Sequence, residues 1–396
     1  LEALAPDEAL APLVTALGQE TYVEARRRMV QALAALRSPQ TEEALKGAAA
    51  DADEGIVLSA IRGLGRLGKP SVMPVLREHV KDENLDVRYE ALGSLAALGD
   101  EEALGTLMRR ARALVATRDL QRVDSTEVID VGDRYEQYLL GVALARAGTE
   151  RVDDLLRDVL HGDKPWHRKV VLRLGAAEGL GRRAASGGSL HPELLDGLQH
   201  DDAEVRVACS YGLRFVGFPE IVRALKRASS DSQLDVRMNV MRALGSVGTP
   251  DAVEVLRKAL RDRSPDVRVA ATHALAEILS PESTEALLRA LKDKKYVIRV
   301  LAARELGRRT AQPDVVEGLA KAAGDADYGV RAQALASLSR ARTRLEKALP
   351  VLVDAIDDRE DVVRTSACLG VSALLEAADV SPELDTAFVE EVVDLA

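Results

Sequence analysis

The stretch Asp266–Leu279, DVRVAATHALAEIL, decides the fold, because the chain writes it again and again. Close copies are DVRYEALGSLAALG from Asp86, DVRMNVMRALGSVG from Asp235 and IRVLAARELGRR from Ile298. With the arginine after the valine as a marker, Arg206, Arg237, Arg268 and Arg299 fall 31 residues apart, and Arg331 and Arg364 follow at 32 and 33. A helical unit this short cannot bury its apolar face alone. A fixed period in this range therefore predicts a solenoid, in which each unit is covered by its neighbours. Counted from the marker, apolar or small residues recur at −1, +3, +7 and usually +10, which is one face of an α-helix. Glycine often follows at +8 or +11, where helices approach closely or end. Another amphipathic segment precedes each such helix, as in TPDAVEVLRKAL from Thr249, PESTEALLRAL from Pro281 and QPDVVEGLAKAA from Gln312. Thr or Ser, then Pro, then an acidic residue supplies a cap, a first-turn proline and a charge that suits the helix dipole. The repeat is thus a helical hairpin. Eleven are expected, marked at Arg26, Val57, Arg88, Gln137, Arg173, Arg206, Arg237, Arg268, Arg299, Arg331 and Arg364, with a last helix near residues 382–395.

At 396 residues a globular core would divide, but a solenoid grows by adding units, so one continuous domain over residues 1–396 is expected. Aromatics are only 3% of the chain, which suits short helices packed closely through small residues and argues against sheet. The formal charge of −10 argues against a surface shaped throughout to neutralise phosphates. Cys209 and Cys368, far apart and within helical repeats, read as buried thiols of a reducing, cytoplasmic compartment. No apolar run approaches the ~18 residues of a membrane span. The chain begins with Leu, so a removed targeting segment stays open.

A second regularity stands six residues before the marker. Asp82, Asp231, Asp262, Asp293, Asp325 and Asp358 occupy that place, and Glu20 precedes Arg26. A carboxylate in the hairpin turn and a guanidinium one turn into the next helix can bond within or between units, which predicts a structural ladder rather than catalysis. With this turn aspartate, the Val-Arg pair and the helical ALG segment, the chain resembles the HEAT-repeat family over nearly its whole length. The short period and VRxxAxxALGxxG wording look most like the bacterial HEAT-like repeats of the phycobilisome-lyase type. The resemblance implies an all-α, right-handed α-solenoid of about eleven stacked hairpins with second helices lining the concave side. Such motifs specify fold strongly and function weakly.

Repeats four to six depart from the pattern together. Marker spacing rises to 49 between Arg88 and Gln137, then 36 to Arg173 and 33 to Arg206. The ladder there reads Val131 with Gln137, His167 with Arg173 and His200 with Arg206, so its acidic member is missing. An insertion within residues 111–134 has little helical punctuation and reads either as a docking arm or as a tolerated loop. HGDKPWHRK from His161 holds the only tryptophan, Trp166, among basic residues, and RRAASGGSLHPE from Arg182 is a connector. Trp166 is either a binding anchor or a cover over irregular packing.

Since −1, +3 and +7 face the core, positions +2, +5 and +9 of the second helices are expected to face the groove. They hold Arg28, Arg62, Arg66, Arg146, Arg182, Arg242, Arg304, Arg308 and Arg340 against Glu90, Glu178 and Glu277. The groove is thus expected to be basic, with an acidic outer face and C-terminus; the plainer reading is that arginine solvates an Ala/Leu helix well. Tyr211 and Phe215 occupy +5 and +9 of repeat six and add an apolar patch. An acidic or amphipathic protein segment would use both the charges and the rings.

Catalytic signals are sparse. The histidines form no HExxH, neither cysteine belongs to a CxxC, no GxxxxGK[ST] occurs, and the GxGxxG spacing at Gly63 falls inside a helical repeat. GLGRLG at Gly63 reads as a helix C-terminus. Relatives resembling deoxyhypusine hydroxylase use His-Glu dipeptides as iron ligands, whereas each histidine here is followed by Val, Gly, Arg, Pro, Asp or Ala. The expected function is a non-catalytic scaffold that binds a protein partner through Arg62, Arg66, Arg146, Trp166, Arg182, Tyr211, Phe215, Arg242, Arg304 and Arg308, with no metal or cofactor. The alternatives are nucleic-acid binding in the arginine groove and a bilin lyase or isomerase using Tyr211, Phe215, Arg182 and Trp166.

Overall fold

The computed structural model describes residues 6–36, 38–116, 131–148, 150–161, 170–187 and 189–378. Among them lie 22 α-helices and no strand, in two compact units, Leu1–Val216 and Gly217–Ala396. The first unit pairs α1 (Pro6–Gln19) with α2 (Val23–Leu36), α3 (Glu42–Ala48) with α4 (Glu54–Leu67), and α5 (Met73–Glu78) with α6 (Leu85–Ala97). It continues with α7 (Glu101–Ala116) and α8 (Val131–Ala147), α9 (Glu150–His161) and α10 (Val170–Ala185), and α11 (Pro192–Asp196) and α12 (Ala203–Leu213). The second unit pairs α13 (Val222–Ala228) with α14 (Leu234–Val247), α15 (Pro250–Ala259) with α16 (Pro265–Glu277), and α17 (Pro281–Ala290) with α18 (Tyr296–Leu306). Its last hairpins are α19 (Pro313–Ala322) with α20 (Tyr328–Leu338) and α21 (Leu345–Asp354) with α22 (Asp361–Ala378). The described helices make the eleven hairpins that the period predicts, and each unit is an α-solenoid.

Local chemistry sets the helix ends. Thr249 caps α15, its hydroxyl accepting the Ala252 amide at 3.3 Å, with Pro250 in the first turn. Ser280 and Ser283 form a reciprocal capping box on α17. Gly68 and Gly248 stop α4 and α14 in the left-handed region, at φ 68° and 65°, a conformation other residues pay strain to adopt. The marker register then places the core. Val236, Val240 and Leu244 on α14, and Ile298, Ala302 and Leu306 on α18, occupy −1, +3 and +7 and are wholly buried. Each Val, Leu or Ile there stabilises by roughly 1.5–3 kcal/mol relative to exposure.

Within each unit, consecutive second helices pack closely on one another, while first helices touch sparsely. The closest approaches run through glycine at α8, α10 and α12. A Cβ on Gly175 would lie 2.1 Å from the Tyr138 carbonyl oxygen, and one on Gly181 would lie 2.0 Å from that of Gly212. Repeats four to six, whose long spacings suggest loose packing, therefore hold the tightest helix crossings described here.

The turn aspartates build a ladder that links successive repeats. Arg237, Arg268, Arg299 and Arg331 each grip both oxygens of the next repeat's aspartate: Asp262 at 3.0 and 3.3 Å, Asp293 at 2.8 and 3.1 Å, Asp325 at 2.7 and 2.8 Å, Asp358 at 2.8 Å twice. Each arginine also donates to the backbone carbonyl of its own turn aspartate. The carboxylates accept the amide two residues on, which holds the turn. In the first unit Arg26 begins the same pattern with Asp51 at 3.1 Å. Where the acid is missing, His200 takes its place in the turn, its Nδ1 accepting the Asp202 amide at 3.0 Å. Arg173 there is buried, donates to the Val159 carbonyl and reaches Asp202 at 3.5 Å.

Several expectations change. Cys209 is buried but Cys368 is exposed, because it sits at +4, one residue past the core position that Ala367 fills. Helices α7 and α8 take up both ends of the 111–134 insertion; residues 117–130 lie outside the described residues, as do Trp166, His167 and the helix expected near 382–395.

Candidate interaction surface

The second-helix face of the first unit is built around two buried carboxylates. Glu90 on α6 and Glu178 on α10 were expected to point outward, yet they are 8% and 4% exposed. Position +2, which Glu90 holds, faces the neighbouring second helix instead of the groove, and Asn239, Ala270 and Leu301 at the same place are also buried. Close packing of the second helices is the physical reason. Positions +5 and +9 do face outward at Arg62, Arg66, Arg182, Arg242, Arg304 and Arg308, which are exposed, and at half-buried Arg146.

Arg146 on α8 donates to Glu90 and lies 3.4 Å from the Ser94 hydroxyl; Arg62 on α4 reaches the other Glu90 oxygen at 3.6 Å. Burial pushes the Glu90 carboxyl up, but Arg146, Arg62 and Arg66 outweigh burial and hold it below the usual range. Three of the expected groove arginines are therefore brought together over one anion.

Glu178 organises the second cluster. It accepts from the Tyr138 hydroxyl and from Arg182 Nε, the latter at 2.6 Å. Arg182 lies 4.5 Å from the Phe215 ring centroid, Arg214 lies 4.9 Å from that of Tyr211, and the two rings meet edge to face at 5.9 Å. Burial, and then the Glu178 charge, push the Tyr138 and Tyr211 hydroxyls up, so both stay protonated donors. The product is a patch of two half-buried rings flanked by one guanidinium on α10 and one just beyond α12. It can seat an apolar side chain beside a carboxylate. Tyr138 and Arg214 were missed by the positional rule, since +1 and +8 belong to no expected face; the Glu178–Arg182 pair was visible as an i, i+4 neighbour.

In the second unit Arg242 on α14 and Arg304 and Arg308 near the end of α18 are exposed. Arg304 Nε donates to Glu305 at 3.1 Å, and Arg308 stands 4.0 Å from the same carboxylate. Glu305 is nearly buried and escaped the sequence reading. The positive charge expected of this face is thus partly offset from beneath.

Chemistry elsewhere is quiet. Burial pushes the Cys209 thiol up to about 12, so it is no nucleophile near neutral pH. His161, first through burial, is held below the usual imidazole range and bonds the Glu193 carbonyl at 3.0 Å. Among the described residues no group of three or more His, Cys, Asp and Glu side chains is placed to hold a metal ion, and no helix is long and apolar enough to cross a membrane.

The family model for HEAT repeats matches residues 57–118, 191–276, 253–311 and 284–372, more than half of the chain. The chain belongs to the HEAT-repeat family. No curated protein matches it. Among solved structures it is similar to an engineered protein, at 18% identity over 93% of this chain and 98% of that one, with a TM-score of 0.36. Human deoxyhypusine hydroxylase in complex with glycerol is 22% identical over 79% and 99% of the two chains, with a TM-score of 0.29. The karyopherin Kap121p bound to the extreme C-terminus of the protein phosphatase Cdc14p is 13% identical over 97% of this chain and 47% of that one, with a TM-score of 0.44. At these identities and scores none of the three says what this chain binds or does.

Proposed function

We propose that the chain is a non-catalytic scaffold that holds a partner protein on the second-helix faces of its repeats. The observation that carries this reading is the Tyr211–Phe215 pair, its rings half-buried and each flanked by a guanidinium. Aromatic and arginine side chains set in this way dominate binding energies at protein interfaces. The partner segment that fits is acidic or amphipathic: an apolar side chain seats against the rings, and carboxylates meet Arg182, Arg214 and, beside Glu90, Arg62 and Arg146. Arg242, Arg304 and Arg308 offer a second basic face in the other unit. The tests are pull-downs from native extract read by mass spectrometry, repeated with Tyr211→Ala/Phe215→Ala and with Arg304→Gln/Arg308→Gln. The ring pair should lose capture by tenfold or more, and the arginine pair by less, with a steeper salt dependence in the wild type. Equal capture by all three proteins would defeat the reading. Tight, salt-sensitive binding of duplex DNA lost with the same arginines would replace it with nucleic-acid binding.

A further inference from the structure

Two adjacent hairpin turns of the second unit differ from the rest. Residues 260–266 read LRDRSPD and 291–297 read LKDKKYV, while the equivalent turns read SSDSQLD at 229–235, AGDADYG at 323–329 and IDDREDV at 356–362. The ladder uses only the aspartates of these turns, Asp262 and Asp293. Arg261, Lys292 and Lys294 are additions that the repeat does not need. These turns, the last turns of α15 and α17 and the ladder residue Arg268 of α16 line an open cleft of about 570 Å³, within the usual range for small-ligand sites.

Seven cationic and two carboxylate side chains line the cleft. Both carboxylates are held by ladder arginines, Arg237 and Arg268. Two of the cations are matched by neighbours on their own helices, Lys258 by Glu254 and Arg289 by Glu285. Arg257, Arg261, Lys292 and Lys294 make no ion pair or side-chain hydrogen bond among the described residues. The C-terminal ends of α15 and α17 attract cations, but each supplies only about half a negative charge. Four unpaired cations in one recess exceed that, and a recess lined by one sign concentrates the opposite sign.

We infer that this cleft binds an oligophosphate, a small ligand whose charge is carried on linked phosphate groups. The rest of the lining is Leu260 and Ala290, with no ring, hydroxyl or amide side chain. A nucleobase finds nothing to stack on, because Tyr296 and Tyr328 start second helices outside the lining. Peptide amides find no free acceptor, since both carboxylates are occupied. Phosphate oxygens need only the guanidinium and ammonium donors that are present.

This inference is independent of the scaffold reading. The test is titration calorimetry of the full chain with sodium tripolyphosphate at low salt without divalent cations. Wild type should bind, raise its Tm with ligand concentration, and lose affinity steeply as salt rises. Lys292→Gln/Lys294→Gln should weaken binding at least tenfold and Arg261→Gln about threefold or more, both with unchanged circular dichroism, while Arg304→Gln/Arg308→Gln should bind as wild type. Absence of binding at low salt, full affinity in the cleft variants, or an equal loss in the Arg304/Arg308 variant would overturn the site. Tighter binding of hexaglutamate or a short single-stranded oligonucleotide through the same residues would overturn the ligand class.

Discussion

Arg268 shows what one side chain contributes to this fold. It is 3% exposed, ties its own turn through the Asp262 carbonyl and grips the next turn through both Asp293 oxygens. Removing one member of such a pair strands the other, which costs more than the pair contributes. Asp293→Ala should therefore destabilise by about 3 kcal/mol in urea melts, while the double change Arg268→Met/Asp293→Leu should cost less than the single one. A double variant weaker than Asp293→Ala would refute this. The ladder also sets an acid limit. Burial pushes the Asp293 and Asp325 carboxyls up, but Arg268 and Arg299 with turn amides outweigh it, and Arg331 holds Asp358 down as well. Folded values below the unfolded ~3.9 mean a contribution fully present above that pH and lost as pH falls through the folded values. Tm should drop below about pH 4, and the drop should be shallower in Asp293→Asn/Asp325→Asn/Asp358→Asn. Parallel profiles for the two proteins would exclude the ladder as its source.

At the scale of elements, helix spacing is set by glycine and by one buried cation. Gly175 and Gly181 let α10 meet α8 and α12 at backbone distance, so an added methyl has to move a helix rather than a side chain. Gly175→Ala should cost roughly 2 kcal/mol or more, whereas Gly47→Ala on α3, with nothing within 4 Å of the new Cβ, should gain about 0.5–1 kcal/mol from helix propensity. Thermal melts in which both changes act alike would show that the crossing is not limiting. Arg309 works between elements in another way. Buried just beyond α18, it donates to the carbonyls of Leu275, Ala276 and Ile278 at the end of α16 and to the Ser283 and Thr284 hydroxyls of α17. A guanidinium suits these orphan carbonyls because it carries five donors and the favoured sign for a helix C-terminus. The Arg308-Arg309 pair is visible in the sequence; that one points out and the other in is decided by where α16 ends.

For the molecule as a whole, contacts within each unit run from a hairpin to its neighbours, so damage should stay local. In hydrogen exchange, Arg309→Ala should raise exchange in α16, α17 and α18 and leave α2 and α4 as in wild type. Uniform acceleration along the chain would contradict a stack of nearest-neighbour repeats. The hairpin count, the core positions and the residues of the ladder were legible from the sequence, because each depends on spacing within about 31 residues and recurs often enough to average out exceptions; that each arginine grips the next repeat's aspartate was left open there and is decided by the stacking. The candidate surface was legible only in part. Positions +5 and +9 followed from helix geometry for most of the arginines, but the burial of Glu90 at +2 and of Glu178 at +5 did not, since both positions face outward on an isolated helix and turn inward only where a neighbour packs there.

Sequence alone therefore determined the repeat, its register and the residues of the ladder, all of which follow from local periodicity and side-chain reach. Tertiary structure decided which charges remain uncompensated. Arg62 and Arg146 meet over Glu90, Arg182 and Phe215 meet beside Glu178, and the cations of two turns converge in one cleft. These neighbours come from different repeats, and their distances depend on how closely second helices pack, which no single repeat specifies.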